Sequence, residues 1–223
     1  MCGRFARQAT IDEIQQAFEL DAIKTDLAPS YNIAPTQAVA AIVQSPKGKR
    51  GLVELKWGLI PYWSKDPSIA SKLINARSES AFEKPSFKEP WRKRRCLILA
   101  NGFYEWQKGS KTPLYVHFKD QALVAFAGLY DFWQGSPDSE KIATCTILTT
   151  QANAKISQFH ERMPVVLSPE EIPIWLDTYQ QDLARLQSLM HMHAAEQTEF
   201  YPVSSEVNKV SFNQAEALLP VVV

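Results

Sequence analysis

Residues 96–107 read Cys96-Leu97-Ile98-Leu99-Ala100-Asn101-Gly102-Phe103-Tyr104-Glu105-Trp106-Gln107, two apolar or aromatic runs broken by an Asn-Gly pair. Their composition and the turn signal between them predict strands over 96–100 and 103–107. Downstream, 114–118, 123–129 and 142–149 repeat the pattern, separated by Lys-Gly, Lys-Asp and Gly-Ser-Pro signals. Upstream, 38–43 and 52–57 flank Ser45-Pro46-Lys47-Gly48 and predict a hairpin. So many short strands in succession fit an antiparallel, barrel-like sheet.

Helices frame this β-rich middle. Thr10 and Glu13 form a capping box at the start of a helix over 10–20, with Ile11, Ile14 and Phe18 on one face. That helix is expected to follow the chain start directly. Residues 28–36 and 61–71 read as loops, and 77–82 as a short helix. Ser168-Pro169-Glu170-Glu171 opens another helix with Pro at its first position, and Leu183, Leu186, Leu189 and Met190 repeat helically within 181–190. Short β-like pieces end the chain. The fold class is therefore α+β: a single domain, 1–223, with a barrel-like, mainly antiparallel sheet flanked by helices.

With 45% apolar residues, six Trp and eleven Phe, the 223-residue chain can bury a sizeable core. Lys+Arg and Asp+Glu are both 24, so no global field draws the protein onto a polyanion, and affinity for nucleic acid must come from a local patch. Three cysteines, Cys2, Cys96 and Cys145, are an odd number without metal-type spacing, which argues against a disulfide framework or a zinc site. No cofactor is called for. The start of the chain lacks a secretory-type apolar stretch, and no run approaches the ~18–20 apolar residues of a membrane span, so the expected location is cytoplasmic.

Cys2 follows only Met1, and a small second residue favours removal of the initiator. The mature chain is then expected to begin at Cys2, with an amine and a thiol on adjacent carbons. Such an aminothiol can condense with an aldehyde to a Schiff base and close a five-membered thiazolidine. Alternatively, the thiol acts as a nucleophile with the amine as its own base. Either route needs a proton acceptor nearby. Glu105, among aromatic neighbours that would raise its pKa, and His160, on a turn before an apolar run, are candidates. His191 and His193, two apart, do not share a helix face and are no metal site. Arg92-Lys93-Arg94-Arg95 is the densest basic cluster, and such runs are usually solvated faces. Trp57, Trp63, Trp91 and Trp106 could stack on bases or fill the core.

Six ordered motifs tie these residues together: Cys2-Gly3-Arg4-Phe5, Tyr31-Asn32-Ile33-Ala34-Pro35, Trp57-Gly58-Leu59-Ile60-Pro61, Ile74-Asn75-Ala76-Arg77-Ser78-Glu79, Gly102-Phe103-Tyr104-Glu105-Trp106 and His160-Glu161-Arg162-Met163-Pro164. In these the chain resembles, over nearly its whole length, the SRAP family, named for SOS-response-associated peptidases. The resemblance implies a DNA-damage protein that senses abasic sites in single-stranded DNA. It implies a covalent thiazolidine between Cys2 and the ring-opened sugar, which shields the lesion and is open to slow reversal. By the same resemblance Glu105 moves the amine proton, His160 assists sugar ring opening, and Asn75 orients the Cys2 end and the sugar. Arg4, Arg77 and Arg162 match phosphate-holding positions, and Trp63 and Trp106 match aromatic positions beside the DNA channel. Neither a metal, a membrane nor a second subunit is implied.

Two departures stand out: Asn101 where the family commonly has Asp, and Pro85 where some members have Arg. Two rival functions are a Cys-dependent peptidase or autopeptidase, and a non-catalytic reader of single-stranded or modified DNA that would not need Cys2.

Overall fold

The structure, a computed structural model, describes residues 2–222. In chain order, β1 (Phe5–Arg7), α1 (Ile11–Phe18), β2 (Ala22–Ile23), β3 (Ser30–Ile33), β4 (Ala38–Gln44) and β5 (Arg50–Trp57) lead into β6 (Asn75–Arg77), α2 (Ser78–Ala81) and α3 (Lys88–Lys93). Strands β7 (Arg95–Ala100), β8 (Gly102–Trp106), β9 (Pro113–Phe118), β10 (Val124–Trp133) and β11 (Ile142–Gln151) form the middle. The last part holds β12 (Arg162–Pro164), β13 (Val166–Leu167), α4 (Glu171–Leu176), α5 (Leu183–Ser188) and β14 (Thr198–Pro202).

Five strands close a barrel. β10 pairs antiparallel with β7 and β11, and β4 with β7 and β5. The parallel pairing of β5 with β11, Lys56 opposite Thr144 and Trp57 opposite Cys145, seals the ring. A second sheet runs β14-β9-β8-β1-β3. Alternation along the barrel strands explains how both layers are covered. Leu97 and Leu99 join Trp91, Trp175 and the other helix residues in one apolar cluster. Cys96, Ile98 and Ala100 point the other way, into a cluster shared with Phe5 and Phe103 of the second sheet.

The Asn-Gly pair is not a hairpin turn. β7 and β8 lie in different sheets, and Asn101 sits where the chain crosses between them. Its backbone N–H donates to Ala6 O at 2.8 Å, and its side-chain oxygen accepts from the backbone N–H groups of Gln8 and Ala9 at 2.7 and 3.3 Å. Asn101 thus staples the end of β1, a framework role that accounts for a polar residue buried at the crossing. Gly102 is required there: a Cβ would stand 2.4 Å from Val116 O and 2.6 Å from the Tyr115 ring.

Helix α1 carries the capping box in full, Glu13 Oε2 accepting from Thr10 N–H at 2.7 Å and Thr10 Oγ1 accepting from Glu13 N–H at 3.3 Å. Three expectations are corrected. β1 lies between the chain start and α1, because Phe5 and Ala6 can pair with Phe103 and Gly102. Residues 30–33, inside the Pro-punctuated loop, form β3 against β1. Helix α4 begins at Glu171 rather than at Pro169, with Glu171 Oε2 accepting from Ser168 N–H at 2.8 Å.

Candidate active site

The register of β1 against β8 builds the site. Phe5 lies opposite Phe103 and Ala6 opposite Gly102, and Tyr104 N–H donates to Arg4 O at 2.8 Å. Continued toward the chain start, this antiparallel register sets Gly3 beside Glu105. Strand alternation turns Glu105 to the same face as Phe103, the face on which Cys2 packs. Cys2 is fully buried, its thiol 3.8 Å from Arg4 O. Burial, with the Glu105 charge adding to it, pushes that thiol well up, so it is held protonated.

Asn75 reaches the same point from β6, and its Nδ2 donates to the Cys2 carbonyl at 2.7 Å. Asn75 Oδ1 is buried with no hydrogen-bond partner among the described residues. β6 is positioned by β11, with Asn75 opposite Ile147 and Arg77 opposite Thr149. Trp57 Nε1 donates to Ile74 O at 2.8 Å, fixing the peptide just ahead of Asn75.

Glu105 is 5% exposed, and burial raises its carboxyl to about 7. His160 enters beside β12, the strand that pairs with β11 on the flank away from β10. Its neighbours Phe159 and Met163 pack in the same cluster as Cys2. Both the backbone N–H and the carbonyl oxygen of Arg162 lie against His160 Nδ1, at 2.9 and 3.1 Å, and fix the orientation of the ring. Half-burial lowers the His160 pKa, and the positive charge of the chain's amino terminus adds to that effect. The same amino-terminal charge opposes the upward push on Glu105. Cys2, Asn75, Glu105 and His160 thus gather around the start of the chain: a carboxyl that titrates near neutrality, a neutral imidazole, and an amide with an open acceptor.

The arginines differ from one another. Arg77 is exposed. Arg4 is half-buried and directs Nη1 to Asn32 Oδ1 at 2.8 Å and to Val207 O at 2.7 Å. Arg162 holds Glu79 through both terminal nitrogens, at 2.6 and 2.8 Å, and also donates to Thr149 O. Of the aromatic residues, Trp63 is 48% exposed. Its loop is clamped by buried Asp131, whose Oδ2 accepts from Tyr62 N–H at 3.0 Å, and by Trp133 Nε1 donating to Ser64 O at 2.7 Å. Trp106 is half-buried and donates to Asn208 Oδ1 at 2.8 Å. Trp57 and Trp91 are core residues, Trp91 meeting Trp175 edge-on at 5.3 Å.

The 92–95 run is not one solvated patch. Arg92 and Lys93 are exposed on α3, Arg94 pairs with Asp131 at 3.3 Å, and Arg95 is buried, donating to carbonyls of Trp91, Trp175 and Gln180. Among the described residues, no group of three or more His, Cys, Asp or Glu could hold a metal ion, and no helix is long and apolar enough to cross a membrane.

Residues 1–210 match the family described as SOS response associated peptidase (SRAP). The chain belongs to the SRAP family. It is 41% identical to the abasic site processing protein YoqW of Bacillus subtilis, over 98% of this chain and 99% of that one. It is 34% identical to the abasic site processing protein HMCES of Gallus gallus, over 86% of this chain and 66% of the other. A crystal structure of a protein from Bacteroides thetaiotaomicron superposes with a TM-score of 0.89 at 26% identity, covering 99% of this chain and all of that one.

Sequence reasoning assigned no role to Asp131, Thr149 or Glu79, and left Trp57 open between base stacking and the core. Glu79 lies inside a quoted motif, and a motif residue without an assigned task was the available signal. Asp131 and Thr149 gave none, because their importance comes from partners 69 and 73 positions away.

Proposed function

We propose that this SRAP chain captures the ring-opened aldehyde of an abasic site in single-stranded DNA as a thiazolidine on Cys2, once Met1 has been removed. The placement of Glu105 and Asn75 at the Cys2 end carries this reading. The names of the curated relatives, abasic site processing proteins, support the substrate class.

The amine of Cys2 attacks the aldehyde carbon, and loss of one water gives the imine. The thiol then adds to the imine carbon, forming the C–S bond and passing its proton to nitrogen. Glu105, near 7, can take a proton from the ammonium and return one to the departing hydroxyl. His160, neutral, can take the proton of the sugar's C1 hydroxyl and return it to the ring oxygen as the ring opens. Asn75 fixes the Cys2 carbonyl and offers Oδ1 to an amine or hydroxyl hydrogen. Exposed Arg77 meets a phosphate, and Trp63 offers a stacking face that tolerates any base. The resemblance to the family adds Arg4, Arg162 and Trp106 as further DNA contacts.

A peptidase built on a preformed thiolate needs a depressed thiol pKa, whereas burial raises that of Cys2. This order of events, amine first and thiol second, needs no thiolate at the start.

The test is a denaturing gel of the protein with a single-stranded oligonucleotide carrying one abasic site, beside the intact oligonucleotide. A heat-stable, abasic-dependent band is expected, with an intact mass equal to the two components less one water. Cys2→Ala and a variant retaining an extra residue before Cys2 should both lack it. A crosslink surviving in either sinks the mechanism.

A further inference from the structure

The geometry points to Glu79 as an internal stand-in for a DNA phosphate: its carboxylate occupies the fork of Arg162 in the free protein, and a backbone phosphate of single-stranded DNA displaces it. This rests on the single-stranded DNA reading above and adds a device that sets affinity.

Glu79 takes both terminal nitrogens of Arg162, Oε1 from Nη1 at 2.6 Å and Oε2 from Nη2 at 2.8 Å. This is the two-point geometry with which a guanidinium also grips two phosphate oxygens. The rest of Arg162 is committed to the protein: Nη2 also donates to Thr149 O, and Nε is buried without a partner among the described residues. A phosphate must therefore use the edge Glu79 now covers. The two partners differ in accessibility. The Arg162 side chain is 13% exposed and that of Glu79 48%, so the carboxylate is the member free to swing into solvent.

The charge pattern agrees. Arg77 and Arg162 converge on Thr149, one through strand pairing and the other through its side chain. Glu79 feels both charges: hydrogen bonds from Arg162 hold its carboxyl below the usual range, and the Arg77 charge adds to this, so it is ionised at neutral pH. Two cations and one carboxylate leave a single positive charge in the free protein. Displacement of Glu79 exposes the second only when a phosphate arrives, which limits non-specific attraction on a chain of zero net charge.

If Glu79 instead braced Arg162 for DNA, its removal would weaken binding; as a competitor, its removal must strengthen it. The experiment measures non-covalent binding of an unmodified single-stranded oligonucleotide to the full chain by fluorescence anisotropy across a salt series. Glu79→Gln, with Glu79→Ala as a second variant, should bind roughly 2- to 5-fold more tightly at low salt. The slope of log K against log salt should match that of the unaltered chain, because the displaced carboxylate leaves the same number of phosphates neutralised in both complexes. In an Arg162→Gln background the Glu79→Gln effect should vanish. Weaker binding, a slope steeper by about 0.7, which would mean that the phosphate reaches Arg162 only when Glu79 is absent, or the same gain in the Arg162→Gln background overturns the stand-in while leaving the DNA reading intact. No binding by the unaltered chain overturns both.

Discussion

Ionising Glu105 should destabilise the fold, and Glu105→Gln should remove that cost in a pH-dependent way. The carboxyl is 5% exposed and burial lifts its pKa from an ordinary 4.5 to about 7. Well below 4.5, folded and unfolded chains both hold the proton and no penalty exists. Between 4.5 and about 7 the unfolded chain has released it while the folded chain keeps it, so the folded state binds more protons and stability falls as pH rises. Above about 7 the penalty levels off. At about 1.4 kcal/mol for each tenfold in proton affinity, its full size is roughly 3 kcal/mol. The uncharged amide introduced by Glu105→Gln carries no such penalty. Urea denaturation of both proteins at pH ~4.5 and ~8.5 should show the variant gaining on the unaltered chain by most of that amount at the higher pH. Effects of groups that do not interact with Glu105 cancel in the difference. A difference that stays constant with pH, or shrinks toward alkaline pH, refutes the claim that burial governs this carboxyl.

The same titration sets the acid limb of crosslinking: single-turnover rates should climb as pH rises through about 7, and Glu105→Gln should flatten that limb without moving the alkaline one. Asn75→Ala leaves the Cys2 carbonyl without its donor, a loss of about 1–3 kcal/mol, and should slow single-turnover crosslinking by roughly 5- to 150-fold with little change in affinity for intact DNA. Trp63→Ala should weaken affinity for single-stranded DNA by roughly 1–3 kcal/mol while leaving stability within about 0.5 kcal/mol. Trp57→Ala should do the reverse, costing about 3–5 kcal/mol of stability in chemical denaturation because the ring is fully buried and holds Ile74.

Where a segment's own pattern determined its structure, the sequence was legible. The 38–57 hairpin, the β-run from 96 to 149 and the Thr10 capping box all rest on turn chemistry, alternation or caps within a few residues. What failed depended on distant partners. β1 is three residues long and exists because β3 and β8 flank it, and β6 exists because β11 is there to pair with it. The Asn-Gly pair carries a hairpin's composition, yet the crowding of Gly102 by Val116 and Tyr115, both on β9, makes it a crossing between sheets. Barrel closure was foreseeable only as a tendency, since the parallel β5–β11 pair joins residues nearly ninety positions apart.

The site divides along the same line. Residue types capable of the chemistry could be picked out one by one, because an aminothiol, a carboxyl among aromatics and a turn histidine each carry a recognisable reactivity. Their partners could not. Arg4, Arg77 and Arg162 look alike in sequence, but folding leaves Arg77 exposed, turns Arg4 toward Asn32 and Val207, and closes Arg162 on Glu79. A formal charge is therefore a poor guide to the field a nucleic acid meets. Of the three cations, the one nearest His160 in sequence is the one whose fork is already filled. Contact with a phosphate there requires Glu79 to let go, and the Arg162 backbone also holds the His160 ring through Nδ1. DNA engagement and the placement of the imidazole consequently share a residue, so a variant that disturbs the Arg162 backbone should alter ring opening as well as affinity, whereas Glu79→Gln, acting on the side chain alone, should alter affinity only.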